Sequence, residues 1–170
     1  MSLRSALSGL ALAALAASAG AASAPPAPVV LWNGAAAGMS VDQVYALFPA
    51  SQAATGQALE DGALEALSLD ATIDGAPAIA LFFFRGKTLD AVLVERRAMQ
   101  RDQRMQNLAE AARLVSAASA QYGRPSRCTR RRDIAAVDCA WRDGDLQVAV
   151  AYHDFGGGSP ALSILHRAAG

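Results

Sequence analysis

Two Asp-Gly pairs, each set between runs of apolar and polar residues in alternation, constrain this chain more than anything else in it. A two-residue hairpin loop of type I′ needs positive φ at both central positions, which glycine adopts freely and aspartate tolerates. Residues 67–73 run into Asp74-Gly75 and return as 76–84, and Arg85-Gly86-Lys87 then leads to a third strand over 89–95. Residues 136–142 run into Asp143-Gly144, return as 145–152, and pass a glycine-rich turn into 161–166.

With Asp74-Gly75 as the loop, the pairs 73:76, 71:78, 69:80 and 67:82 gather Leu67, Leu69, Ala71, Ile73, Ala80 and Phe82 on one face. Ile79, Leu81 and Phe83 fall on the other. The 76–84 strand is therefore apolar on both sides and is expected at the centre of its sheet, covered above and below. The second unit alternates more cleanly. Val137, Cys139, Trp141, Leu146, Val148, Val150 and Tyr152 share one face, and Asp138, Ala140, Gln147, Ala149 and Ala151 take the other.

Each hairpin follows a helix signal. Ser40 and Gln43 have the S-x-x-Q spacing of a capping box, and Met39 and Val44 occupy the two positions of the hydrophobic staple around it. Pro49 ends this helix near Phe48, and Val41, Val44, Tyr45 and Phe48 form the face expected to be buried. A second helix is expected from Asp102 to Tyr122, with Met105, Leu108, Ala112, Val115, Ser119 and Tyr122 in one stripe. Gly123 is its left-handed stop, and Pro125 lies just beyond. Such a helix is about 30 Å long, enough to cover a whole sheet. Superposing the two Asp-Gly turns aligns helix, three strands, helix, three strands. The expected fold is therefore α+β, a tandem pair of α-β-β-β units with an antiparallel sheet packed against helices. It forms one domain over 38–167, with halves 38–96 and 100–167.

The first residues set the expected address. Arg4 precedes an apolar run over 6–19, and small residues at 17–24 offer cleavage sites, the arrangement of a secretory signal peptide over 1–24. That run is shorter than the roughly 20 residues a membrane span needs. Residues 25–37, opening with Pro-Pro-Ala-Pro, read as an extended linker, in which Val29 to Trp32 could add a short strand or cover an apolar edge. The mature protein is expected in the periplasm or outside the cell, with no stable membrane anchor. Cys128 and Cys139 are the only cysteines, and in an oxidising compartment they most simply form one disulfide. A chain reversal at Asp133-Ile134 brings the two opposite each other across a strand pair.

Gly38-Met39-Ser40-Val41-Asp42-Gln43-Val44 followed by Pro49 resembles the G-M-[ST]-x-x-[QE]-V…P helix start of BamE/SmpA-type envelope proteins. Tyr122-Gly123-Arg124-Pro125 looks like the matching helix exit in the second half. The resemblance implies the β-lactamase-inhibitor-protein-like fold class, in which helical elements and a small antiparallel sheet are repeated in tandem. It also implies a non-catalytic exported module that binds other proteins or envelope components. It assigns no binding residue, because the matching positions are those that start a helix. No cysteine lies in or just after the apolar leader, so the lipid anchor typical of BamE-type proteins is not expected.

The residues offer little chemistry of their own. Gly156-Gly157-Gly158-Ser159-Pro160-Ala161 approaches both a nucleophile elbow and a phosphate loop, but both need a helix next, and here Pro160 and a strand follow. His153 and His166 are the only imidazoles, and a Ser159, His166, Asp138 triad has no supporting spacing. Two cysteines and two histidines without CxxC or HxxxH spacing form no metal-ligand set, and no cofactor is expected.

The arginines are the sharpest functional signal. Residues 25–95 hold eight acidic and two basic side chains, and 96–132 hold ten arginines against Asp102 and Glu110. The planar guanidinium fork suits carboxylate and phosphate, which makes Arg96, Arg97, Arg101, Arg104, Arg127, Arg130, Arg131 and Arg132 candidates for binding an envelope protein or an anionic envelope component. The alternative is that they are solvated or neutralise the acidic first half. Nucleic acid is not expected as a partner, since the chain has a formal net charge of zero and no nucleic-acid-binding motif. Two other functions compete with an exported, non-catalytic binding module. One is a carrier of a small apolar ligand lined by strand 82–84, Trp141 and Tyr152, and the other is a hydrolase using His166 or His153.

Overall fold

Asp74 and Gly75 take φ of 49° and 77°, so the first hairpin closes on the type I′ loop expected of it. The computed structural model describes residues 27–54, 56–131, 136–154 and 159–169. The leader over 1–24 and Arg132 lie outside them, as does the reversal at Asp133-Ile134. The elements in chain order are β1 (Val30–Trp32), β2 (Ala35–Ala36), α1 (Val41–Leu47), β3 (Gln52–Ala53), β4 (Leu64–Ile73), β5 (Ala76–Arg85) and β6 (Thr88–Arg96). A 3-10 turn at Arg101–Gln103 then leads into α2 (Arg104–Tyr122), followed by β7 (Arg127–Arg131), β8 (Ala136–Asp143), β9 (Leu146–His153) and β10 (Ala161–Ala168). Within the stretch expected as a linker, β1 and β2 pair as a short antiparallel hairpin.

The chain does not form a tandem pair of α-β-β-β units. Of the described residues, strand makes up 50% and helix 22%, so the fold is mostly β. Eight strands join in one antiparallel sheet in the order β3-β4-β5-β6-β10-β9-β8-β7. The physical reason is the pairing of β6 with β10, where Val92 lies opposite His166 and Val94 opposite Ile164. That ladder merges the strands of both segments into a single layer. The helices are also unequal: α1 has seven residues and α2 has 19.

The local elements follow their sequence signals more closely than their assembly does. β4 and β5 pair Ile73 with Ala76, Ala71 with Ala78, Leu69 with Ala80 and Leu67 with Phe82. The second hairpin pairs Asp143 with Leu146, so its loop is Gly144-Asp145, one residue later than expected. Gly144, at φ 57°, takes the first central position, where a type II′ turn wants glycine. Moving the loop by one residue shifts every partner by two, which leaves each side chain on its expected face. Ser40 and Gln43 form the complete capping box, with Ser40 N–H donating to Gln43 Oε1 at 2.8 Å and Gln43 N–H to Ser40 Oγ at 3.2 Å. Of the expected buried face of α1, Val44 is fully buried, but Tyr45 is 51% exposed.

The core lies on the helix-bearing face of the sheet. Phe82, Phe84, Val92, Val94, Trp141, Val150, Tyr152 and Leu162 fill it from the strands, and Ala111, Leu114, Val115 and Ala118 from α2. Leu31 and Val44 close its other end, where the rings of Trp32, Phe48 and Phe82 meet with centroids 5.4–6.0 Å apart. A smaller cluster of Ala63, Leu81, Phe83 and Ala91 lies on the opposite face, with Leu59 packed against it. β5 is thus covered on both faces, as its composition requires.

Candidate functional site

Helix α2 packs on β8 and β9 and does not cover the whole sheet. Its buried residues are Asn107, Ala111, Leu114, Val115 and Ala118, a face rotated from the stripe that periodicity singles out. Met105 and Ala112 on that stripe are exposed and Leu108 is half-buried. Met105 is 77% exposed. The helix therefore has a wider apolar surface than the sheet beneath it uses.

The uncovered flank forms one wall of a groove of about 510 Å³, between α2 and the outer strands β7 and β8. Met105, Leu108, Ala112 and Val115 line it from the helix, Ala136 and Val137 from β8, and Arg104, Arg130 and Arg131 supply the polar part. Every residue of β7 is exposed, and the Cys128–Cys139 disulfide ties the strand to β8, directly across the register that pairs them. The bridge fixes the arginine-bearing strand relative to the core, since Cys139 is itself fully buried.

Three of the candidate arginines among the described residues thus line one groove, and Arg132 lies outside the described residues. Arg96 is half-buried in an ion pair with Glu110 at 3.0 Å, and its guanidinium also donates to the Pro77 and Arg97 carbonyls. Arg97 pairs with Asp70 at 3.1 Å, and Arg127 pairs with Asp138 at 3.3 Å on the sheet face away from α2. These three neutralise carboxylates within the molecule. Arg101 lies 3.7 Å and Arg104 3.9 Å from Asp154, whose side chain is only 6% exposed, so Arg104 is anchored at the groove's end.

The Ser159, His166, Asp138 triad does not assemble. His166 and Asp138 point to opposite faces of the sheet, because Asp138 is in register with Ala151 and His166 with Val148. The Ser159, His166, Asp138 triad is therefore excluded by register. His166 Nδ1–H donates to the Leu31 carbonyl at 2.6 Å, and burial pushes its pKa from 6.5 down to about 4. The Gly156-Gly157-Gly158 run lies outside the described residues. Phe82, Phe84, Trp141 and Tyr152 pack into one continuous core, with Trp141 Nε1–H donating to the Gly123 carbonyl at 3.1 Å. Phe83 is buried on the other face. Among the described residues no group of three or more His, Cys, Asp or Glu is placed to hold a metal ion, and no helix is long and apolar enough to cross a membrane.

A cluster that no sequence motif announces sits at the far end of the β6–β10 seam. Asp61 lies 2.8 Å from Arg85 and 2.7 Å from Arg167, and Asp90 lies 3.2 Å from each. Burial works to raise the Asp61 carboxyl, but the Ala63 N–H and the two guanidiniums outweigh it and hold it below the ordinary carboxylate range. The four charges fasten the loop before β4 to the seam. Their only sequence signal is opposite charge on strands far apart in the chain. No family model, no curated protein and no solved structure matches the chain.

Proposed function

We propose that this chain is an exported, non-catalytic binding module that takes an anionic partner in the groove between α2 and β7. One observation carries the reading: the apolar flank of α2 is left uncovered beside Arg104, Arg130 and Arg131. An exposed Met105 adds nothing to the core. A carboxylate-bearing partner with apolar side chains gains from both parts of such a surface, through charge-assisted hydrogen bonds and through burial. The disulfide agrees with an oxidising compartment. The resemblance of residues 38–44 to BamE/SmpA-type proteins agrees with an envelope role and leaves the contact residues to be found by experiment.

The test is retention on immobilised polyglutamate over a salt gradient, with the disulfide intact. Arg130→Glu/Arg131→Glu is expected to elute at distinctly lower salt than the charge-matched Lys87→Glu/Arg124→Glu variant, which changes no groove residue. Elution of the two variants together would reject the groove as the anionic contact.

A further inference from the structure

The groove opens over β7, the last strand of the sheet among the described residues. β7 ends the strand order, and all five of its residues are exposed. The Cys128 and Cys139 Cα atoms are 3.9 Å apart, on the side of the narrow, non-hydrogen-bonded antiparallel pair at about 4.5 Å and far from the wide pair at about 5.5 Å. Ser126 N–H and Oγ both bond the Ala140 carbonyl just before the strand, which turns the Arg127 position inward toward β8. Alternation then directs the backbone N–H and C=O of Cys128 and Arg130 outward, off the edge of the sheet.

We propose that β7 receives an extended acidic segment of another protein as a ninth strand. This proposal rests on the anionic-partner reading above and says how that partner is held. Side chains of an added strand alternate between the faces of the sheet. Those on the α2 side meet the flank of Met105 and Leu108 with Arg104 and Arg130 beside it, and those on the other side meet Arg127 and Thr129, while Arg131 at the strand's end also lines the groove. The complementary sequence therefore alternates apolar with acidic residues. Charge also selects against the simplest competitor, a second copy of β7, because two such strands would set arginine against arginine. The disulfide pre-orders the acceptor, so less ordering free energy is lost when a strand docks.

The experiment uses the full chain with its disulfide intact and a fluorescein-labelled peptide, Glu-Leu-Glu-Leu-Glu-Leu-Glu, read by fluorescence anisotropy. Two further versions are N-methylated, one at every Glu and one at every Leu. Strand addition predicts that one methylated version binds about tenfold or more weakly, while the other binds within about twofold of the parent, because only alternate N–H groups face β7. Equal affinity for all three peptides, with binding still lost in Arg130→Glu/Arg131→Glu, overturns strand addition and leaves the anionic groove standing. Unchanged affinity in that variant rejects the groove as well. Binding to phosphatidylglycerol vesicles with none to any peptide overturns the proposal in favour of a lipid surface.

Discussion

The two edges of the sheet are finished in opposite ways. β3 contributes two residues, too few to offer a ladder, and the edge it closes is protected by brevity. β7 contributes five residues, all exposed, and is tied by a disulfide to a neighbour with a fully buried cysteine. Here the edge is kept long and is protected by charge. An edge that only needed hiding could have been as short as β3. The contrast is the reason we propose the β7 end as the one that meets a partner.

The largest effect should fall at the β3 end, where apolar side chains are already spent on the core. Phe82 is fully buried between Trp32 and Phe48, and Phe82→Ala is expected to cost about 3–5 kcal/mol in urea unfolding. A cost near zero would mean that this end is not the stable one. At the β7 end the staple should matter next. Cys128 and Cys139 are 11 residues apart, and losing the bridge in Cys128→Ser/Cys139→Ser is expected to cost about 3 kcal/mol by the loop-entropy relation. Amide exchange should quicken at β7 before β4. Faster opening at β4 would reverse the comparison.

His166 tests the seam between the two ends. In the unfolded chain it takes up a proton near pH 6.5, while the buried ring resists until about pH 4. This contribution to stability, on the order of 3 kcal/mol, is therefore full above pH 6.5 and is lost between there and about pH 4. His166→Asn keeps a donor for the Leu31 carbonyl and should flatten that slope. An unchanged slope in the variant would assign the acid loss to other groups. The smallest effect belongs to Met105→Ala, expected within about 0.5 kcal/mol of wild type because the side chain is 77% exposed. The same substitution should weaken retention of the acidic peptide. A large loss of stability would place Met105 in the core and remove the groove's wall.

What could be read from the sequence was local. The Asp74-Gly75 register, the Ser40–Gln43 box and the Cys128–Cys139 pairing each depend on residues a few positions apart, where turn and cap geometry leave few options. The β6–β10 ladder was illegible, because strands of similar apolar content carry no mark of which distant edge they join. That one pairing turned the expected tandem units into a single sheet. It also brought Arg167 to Asp61 and Asp90. The α2 stripe shows the limit of periodicity as a signal. Met105, Leu108, Ala112 and Val115 are periodic and apolar, and periodicity alone does not distinguish a face that meets the sheet from one left beside it. The arginine cluster was visible as composition, but among the described residues Arg104, Arg130 and Arg131 line the groove, while Arg96, Arg97 and Arg127 pair with carboxylates elsewhere.

The most direct test maps the contact itself by amide chemical shifts, titrating the isotopically labelled, disulfide-bonded protein with the unmethylated Glu-Leu peptide. The account predicts shifts that saturate together over residues 104–115 and 127–131, with Lys87 and the β4–β5 turn unmoved. Saturable shifts centred instead on Ile79, Leu93 and Leu165, on the face away from α2, would contradict it.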